Sequence, residues 1–160
     1  MKKLYLTAIL AIVSLCVSAQ RGGRSVECFD YDWQFHLTME KGAEQQAGPK
    51  LQEAVSGWET VQLPHDWSIH MIPDSRLTGC NGHLRGGVGE YKKTFSVPAS
   101  DKGKAVSVIF DGIYNRSDVY INGHHLGFRP YGFVQIEYDL TPYLNYGNSN
   151  EIYVRVNNPS

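Results

Sequence analysis

From Trp33 onward, apolar positions recur at every second residue, the period of a strand with one buried face rather than of a helix. Trp33, Phe35 and Leu37 alternate with Gln34 and His36. Thr60-Val61-Gln62-Leu63 repeats the pattern and stops at Pro64. Tyr91, Phe95 and Val97 share one face while Lys92, Thr94 and Ser96 take the other, with Lys93 a charge on the apolar side. Val106, Val108 and Phe110 alternate inward to a turn at Asp111-Gly112, and Val119 and Ile121 lead into Asn122-Gly123. Both residues of that pair accept the positive φ of a type I′ turn, so a hairpin with a return strand through Leu126 is predicted. Val134, Ile136 and Tyr138 mark a further strand, Asp139 to Pro142 a turn or single helical turn, and Ile152, Val154 and Val156 the last strand. Short strands at regular spacing with no long helix predict an all-β sandwich.

Two stretches interrupt the rhythm. Gly42 to Gly57 is polar and rich in Gln and Glu, and reads as an insertion loop. Ile69 to Gly89 contains Pro73 and glycines at 79, 82, 86, 87 and 89. Long ordered loops on a sandwich tend to carry function.

The first residues fall outside this scheme. Lys2 and Lys3 precede an apolar run from Leu4 to Val17, and Val17-Ser18-Ala19 has the small residues a signal peptidase reads. The run is shorter than the roughly 20 residues a membrane span needs, and Leu15 is too bulky to precede a lipid-modified Cys16. Residues 1–19 are therefore expected to be a signal peptide, 20–27 a flexible leader, and the domain to occupy 28–160. An exported, periplasmic or extracellular product follows, with no membrane attachment after cleavage.

The chain has 15 Lys and Arg against 16 Asp and Glu; without Lys2 and Lys3 the balance is 13 to 16. No strong field would draw it to nucleic acid or anionic lipid. Export permits a disulfide between Cys28 and Cys80, with two free or buried thiols as the alternative.

Five ordered motifs narrow the reading. Trp58-Glu59-Thr60-Val61-Gln62-Leu63-Pro64-His65-Asp66-Trp67 is followed by Gly86-Gly87-Val88-Gly89-Glu90-Tyr91 and by the run from Phe110-Asp111-Gly112 to Ile121-Asn122-Gly123. Leu126-Gly127 with Pro130-Tyr131-Gly132-Phe133, and Tyr138-Asp139-Leu140-Thr141-Pro142, complete the set. Together they resemble the start of bacterial family 2 glycoside hydrolases, closest in type to β-galactosidases. The resemblance implies a galactose-binding-like jelly roll that precedes an immunoglobulin-like domain and a TIM barrel. Family members continue into a further segment and strand, so 28–160 is expected to lack its last strand. Glu90 stands where these enzymes usually carry an aromatic residue.

The motif residues Trp58, Pro64, His65, Asp66, Trp67, Tyr91, Asp111, Asn122 and Gly123 read mainly as scaffold. Asp66 can cap backbone donors, and Asp111-Gly112 and Asn122-Gly123 supply turns. His124-His125 would point to opposite strand faces and so make a poor chelate. No metal site or cofactor is expected. The resemblance places the sugar-contacting loop just before Tyr91, where Asn81 is the nearest amide and His83 and Arg85 its neighbours. An amide both donates to and accepts from a hydroxyl, which suits a sugar; the alternative is that Asn81 only shapes a turn.

Retaining glycosidases need two carboxyls roughly 5 Å apart. In this family both are glutamates of a barrel of about 250 residues, so no catalytic residue is assigned in this chain. The expected function is the carbohydrate-binding and scaffold domain of an exported β-galactosidase-like hydrolase, present as a fragment. A free-standing carbohydrate-binding module is the alternative. The leader supplies the first test: the intact mass of the exported protein should correspond to a chain beginning at Gln20, and retention of Met1 to Ala19 or a lipid on Cys16 would refute cleavage.

Overall fold

The computed structural model describes residues 23–41, 44–77, 79 and 82–159. The strands follow the alternation: β1 (Trp33–Met39), β2 (Glu59–Val61), β3 (Gly87–Ser96), β4 (Ser107–Phe110), β5 (Ser117–Ile121), β6 (His124–Arg129), β7 (Ile136–Asp139) and β8 (Ser149–Asn158). A six-stranded sheet runs β2-β1-β3-β8-β5-β6, and β4 pairs with β7 in a second, two-stranded sheet. Every pairing is antiparallel. The architecture is the all-β sandwich that the period-two pattern predicts, of the jelly-roll class that the family resemblance implies.

Register explains the core. Phe35, Tyr91, Val154 and Val119 lie side by side across β1, β3, β8 and β5, and the next inward row is Leu37, Gly89, Val156 and Ser117. All eight are buried. Val108 of β4, Ile136 and Tyr138 of β7, and Leu140 join the same apolar cluster. Burying side chains of this size stabilises by roughly 1.5–3 kcal/mol each before entropy is charged against it. At the β5–β6 end, Asn122 and Gly123 take φ values of 49° and 81°, the left-handed pair of a type I′ hairpin.

Lys93 keeps its place on the apolar side by a specific arrangement. Its Nζ donates to the carbonyls of Phe29 at 3.2 Å and Tyr31 at 2.6 Å, and lies 4.4 Å from the centre of the Phe29 ring. Phe29 packs edge-on against Trp33 and Phe95, and its carbonyl also accepts the Trp33 indole N–H at 2.8 Å. The segment before β1 is thus tied across the sheet end by a cation that satisfies carbonyls no strand pairs.

Two expectations need correction. The stretch 42–57 is not a plain loop: a 3-10 turn (Pro49–Leu51) runs into a short helix, α1 (Gln52–Ser56), which buries Leu51 and Ala54 completely. Val134 lies exposed outside β7, which begins only at Ile136. Cys28 is an exposed free thiol, 3.4 Å from an Asp30 carboxylate oxygen, while Cys80 lies outside the described residues.

Two aromatic rings of the core close tightly on Gly89. A Cβ there would sit 2.7 Å from Cζ3 of Trp67 and 3.1 Å from Cε2 of Phe35, both in buried rings. Gly89→Ala should therefore cost about 1–3 kcal/mol through overpacking, read as a lowered urea midpoint with an unchanged slope. An unchanged midpoint would show that Trp67 does not pack so closely on β3.

Candidate functional site

The loop between Trp67 and β3 is built from its own backbone upward. Asp66 caps the 3-10 turn Trp67–His70, its Oδ1 accepting the backbone N–H of Ser68 at 2.8 Å and the Ser68 hydroxyl at 2.6 Å. Met71 then bridges to Ala47, and Ile72 donates to the Gln46 carbonyl at 2.7 Å. Asp74 donates its N–H to the carbonyl of His83 at 2.9 Å, which draws the two limbs of the loop together. Gly82 and His83 both adopt left-handed φ, 63° and 62°, where the chain reverses.

Gln46 holds this structure from outside. Its amide nitrogen donates to the His83 carbonyl at 3.0 Å and its amide oxygen accepts the Arg85 N–H at 2.9 Å. One buried carboxamide thus satisfies two backbone groups that a strand would otherwise pair. Gln46 escaped the sequence reading because Gln45-Gln46 sits in a polar stretch whose composition signals only solvent exposure.

The three sugar-contact candidates part company here. Asn81 lies outside the described residues. His83 is half-buried and turned inward, its Nδ1 2.8 Å from the Leu77 carbonyl, so that ring nitrogen serves the loop itself. Arg85 instead lines an open hollow of about 520 Å³ together with Gln45, Ile72, Asp74, Ser75 and Arg76. Within it Arg76 grips Asp74 in a fork, Nε to Oδ1 at 2.9 Å and Nη2 to Oδ2 at 2.7 Å. The hydrogen bonds from Arg76, with a smaller Coulombic contribution from Arg85, hold the Asp74 carboxyl down to about 2.

A second concavity of about 370 Å³ opens between the sheets, a feature the alternation of single strands could not reveal. Trp33, Tyr91, Val154 and Val156 form its floor, and Leu63 to His65 and Ile109 to Tyr114 its walls. His65 Nδ1 and the Tyr91 hydroxyl share a hydrogen bond of 2.9 Å, and the His65 ring packs edge-on to Phe35. Burial lowers the His65 pKa, outweighing the opposing pull of Asp66, and burial raises that of Tyr91.

The other motif residues serve contacts of the framework. Pro64, in the wall of this cleft, follows Leu63 through a cis peptide. Trp58 lies beside the His36 ring with the Lys92 ammonium 3.8 Å over its centre. Asp111 accepts from the Gln135 amide at 3.1 Å. Asn122 donates to Asn150 and to the Tyr143 carbonyl, both at 2.8 Å, and accepts the Glu151 N–H at 2.9 Å. His124 stacks on Tyr143 whereas His125 bonds Asp118 at 2.9 Å, so the adjacent imidazoles serve different neighbours. Among the described residues no group of three or more His, Cys, Asp or Glu is arranged to hold a metal.

Comparisons with known proteins agree with this framework. The family described as "Glycosyl hydrolases family 2, sugar binding domain" matches residues 26–160. The β-galactosidase BoGH2A of Bacteroides ovatus is 44% identical over 137 residues, covering 81% of this chain and 15% of its own length. A β-glucuronidase of Formosa agariphila is 35% identical over 139 residues, covering 84% of this chain and 14% of its own. Among solved structures, a β-glycosidase from Bacteroides vulgatus superposes with a TM-score of 0.66 at 38% identity, over 84% of this chain and 17% of that one. The chain thus spans about one seventh of the length of the curated relatives it matches.

The lowered pKa of His65 has a stability consequence. In the unfolded chain the imidazole titrates near its ordinary 6.5 and binds a proton that the folded form refuses. The contribution of the neutral ring is complete above that value and is lost as pH falls through the folded pKa. Thermal melts between pH 7.5 and 5 should show a smaller loss of Tm for His65→Gln than for the unaltered chain; equal losses would remove His65 as a cause.

Proposed function

The chain belongs to family 2 of the glycosyl hydrolases through its sugar-binding domain, and we propose that it acts as the carbohydrate-binding and scaffold part of an exported, β-galactosidase-like retaining hydrolase. The observation that carries this reading is the anchoring by Gln46 of His83 and Arg85 ahead of β3, which sets polar groups on a sandwich with a matching family framework. Its ligand is a galactoside-type sugar, in keeping with the name of the Bacteroides ovatus relative. Asn81, His83 and Arg85 shape that contact, with the side chain of His83 bracing the loop. The lysine pair and apolar run at the N-terminus support a periplasmic or extracellular location.

The reacting carboxyls are proposed to lie outside these 160 residues, on a barrel that accompanies this domain together with an immunoglobulin-like one. Glu90 of β3 accepts a short hydrogen bond from the Tyr153 hydroxyl, and Glu137 of β7 accepts from Ser107 at 2.6 Å. These two glutamates belong to different sheets, and Glu27 and Glu151 stand exposed on a terminal segment and a strand. A scattering of this kind gives no rigid pair around one glycosidic bond. Binding without an acid and a nucleophile lowers the chemical barrier little.

The purified chain should therefore bind methyl β-galactoside saturably in a calorimetric or NMR titration and release no nitrophenol from aryl β-galactosides or β-glucuronides above a buffer blank. Absence of saturable binding to any glycoside would overturn the binding role. Turnover abolished by changing one particular Asp or Glu to its amide would overturn the scaffold assignment.

A further inference from the structure

The hollow beside the loop has a charge imbalance that neutral sugar recognition does not require. Asp74 is the acid among its lining residues, and the Arg76 fork engages both of its oxygens. That pair is close to neutral as a unit. Arg85 remains: its backbone N–H is committed to Gln46, while its half-buried guanidinium has no hydrogen bond or ion pair among the described residues. A guanidinium offers donors in a planar fork matched to two oxygens of an oxyanion, and one held partly out of water attracts an anion more strongly than a fully solvated one. Gln45 and Ser75, also on the rim, add a carboxamide and a hydroxyl able to bond the neighbouring hydroxyls of a sugar ring.

The position of Arg85 is fixed rather than incidental. Gln46 clamps the backbone on either side of Leu84, through the His83 carbonyl and the Arg85 N–H. The opposite limb is held by the Asp74 N–H on the same His83 carbonyl. The two arginines and the carboxylate therefore come from limbs of one loop joined at one backbone oxygen, so the spacing of the charges is set by the fold. The persistence of Asp74 as a carboxylate supports the same picture, because it keeps Arg76 occupied across the pH range in which the chain would meet a ligand.

We propose that this hollow is a subsite for an anionic substituent of the bound sugar, a carboxylate or a sulfate ester, gripped by Arg85. The proposal rests on the carbohydrate-binding role and narrows its ligand class. An acidic saccharide would place its charged group on Arg85 and its ring hydroxyls toward Gln45 and Ser75. A neutral glycoside would reach the loop without filling the hollow.

Calorimetric titration of the full chain with methyl β-glucuronide, a methyl galactoside 6-sulfate and methyl β-galactoside tests this. At low ionic strength one or both anionic probes should bind about tenfold more tightly than the neutral one, an advantage that shrinks as salt is raised. A preference for the glucuronide identifies a carboxylate, and a preference for the sulfated probe a sulfate ester. Arg85→Gln should bring the anionic probe down to the level the neutral one shows on the same variant, and Arg85→Lys should retain part of the preference. Equal affinities in the unaltered chain would overturn the anionic subsite and leave the carbohydrate role standing. Equally strong competition by acetate or inorganic sulfate would overturn it too, as a general anion hollow. Failure of all three glycosides to bind would remove both.

Discussion

The close seating of the Trp67 ring on Gly89 is the contact on which the arrangement of the loop depends. Phe35 and Trp67 lie nearly parallel with centroids 5.8 Å apart, and Tyr91 and His65 pack around the same phenylalanine. This cluster fixes the end of the Leu63 to Trp67 run against β1 and β3. The Asp66-capped turn can then release the chain outward at one place only. A side chain at residue 89 would lift the indole, and the turn, the bridge at Met71 and both limbs of the loop would move with it.

A second level of restraint comes from outside the loop. Gln46 lies between the end of β1 and the helix α1, and Leu51 just before that helix and Ala54 within it anchor the excursion in the core. Packing of α1 therefore decides where the carboxamide stands, and the carboxamide decides where His83 and Arg85 stand. The same economy appears at the far end of the sheet, where the buried Asn150 accepts from Asn122 and from the Asn145 N–H at 2.7 Å and ties the hairpin to the approach into β8. In both places an amide side chain does what a strand neighbour would do, because it carries a donor and an acceptor on one rigid plane.

These two levels explain which parts of the molecule could be read in the sequence. Strands whose inner face meets a continuous core show strict alternation, so the inward positions of β1, β5 and β8, and of β3 from Tyr91 on, were legible, and Asn122-Gly123 announced its own turn; Gly87 to Gly89 read as loop because glycine carries no side chain to alternate. The excursion after β1 was not legible as a helix, although Ala47, Leu51 and Ala54 stand at helical spacing. Three small or single apolar residues in a run of Gln, Glu and Lys make a weak signal, and α1 is only one and a half turns long. Lys93 likewise looked misplaced because its partners, the carbonyls of Phe29 and Tyr31, are invisible to any side-chain pattern. The site suffered most from this. Arg85 could be picked from its neighbourhood, but Gln46 and the Asp74–Arg76 fork are joined to it only by tertiary hydrogen bonds.

The unequal sheets carry the last step. Six strands face two, so the inner surface of β1, β3 and β8 is covered in part by the walls of the cleft rather than by paired strands. The cleft has a floor of aromatic and aliphatic carbon, with His65 and Tyr91 bonded to one another and the carboxylates of Asp30 and Asp111 among its lining. The hollow at Arg85 is the more polar of the two, with amide, hydroxyl, carboxylate and guanidinium groups on a rim of loop backbone. Hydroxyl-rich ligands bind where their own hydrogen bonds to water can be replaced, and burying them against carbon alone leaves those groups unpaired at a cost of about 1–3 kcal/mol each. The polar rim of the hollow therefore suits the proposed carbohydrate contact better than the apolar floor of the cleft does.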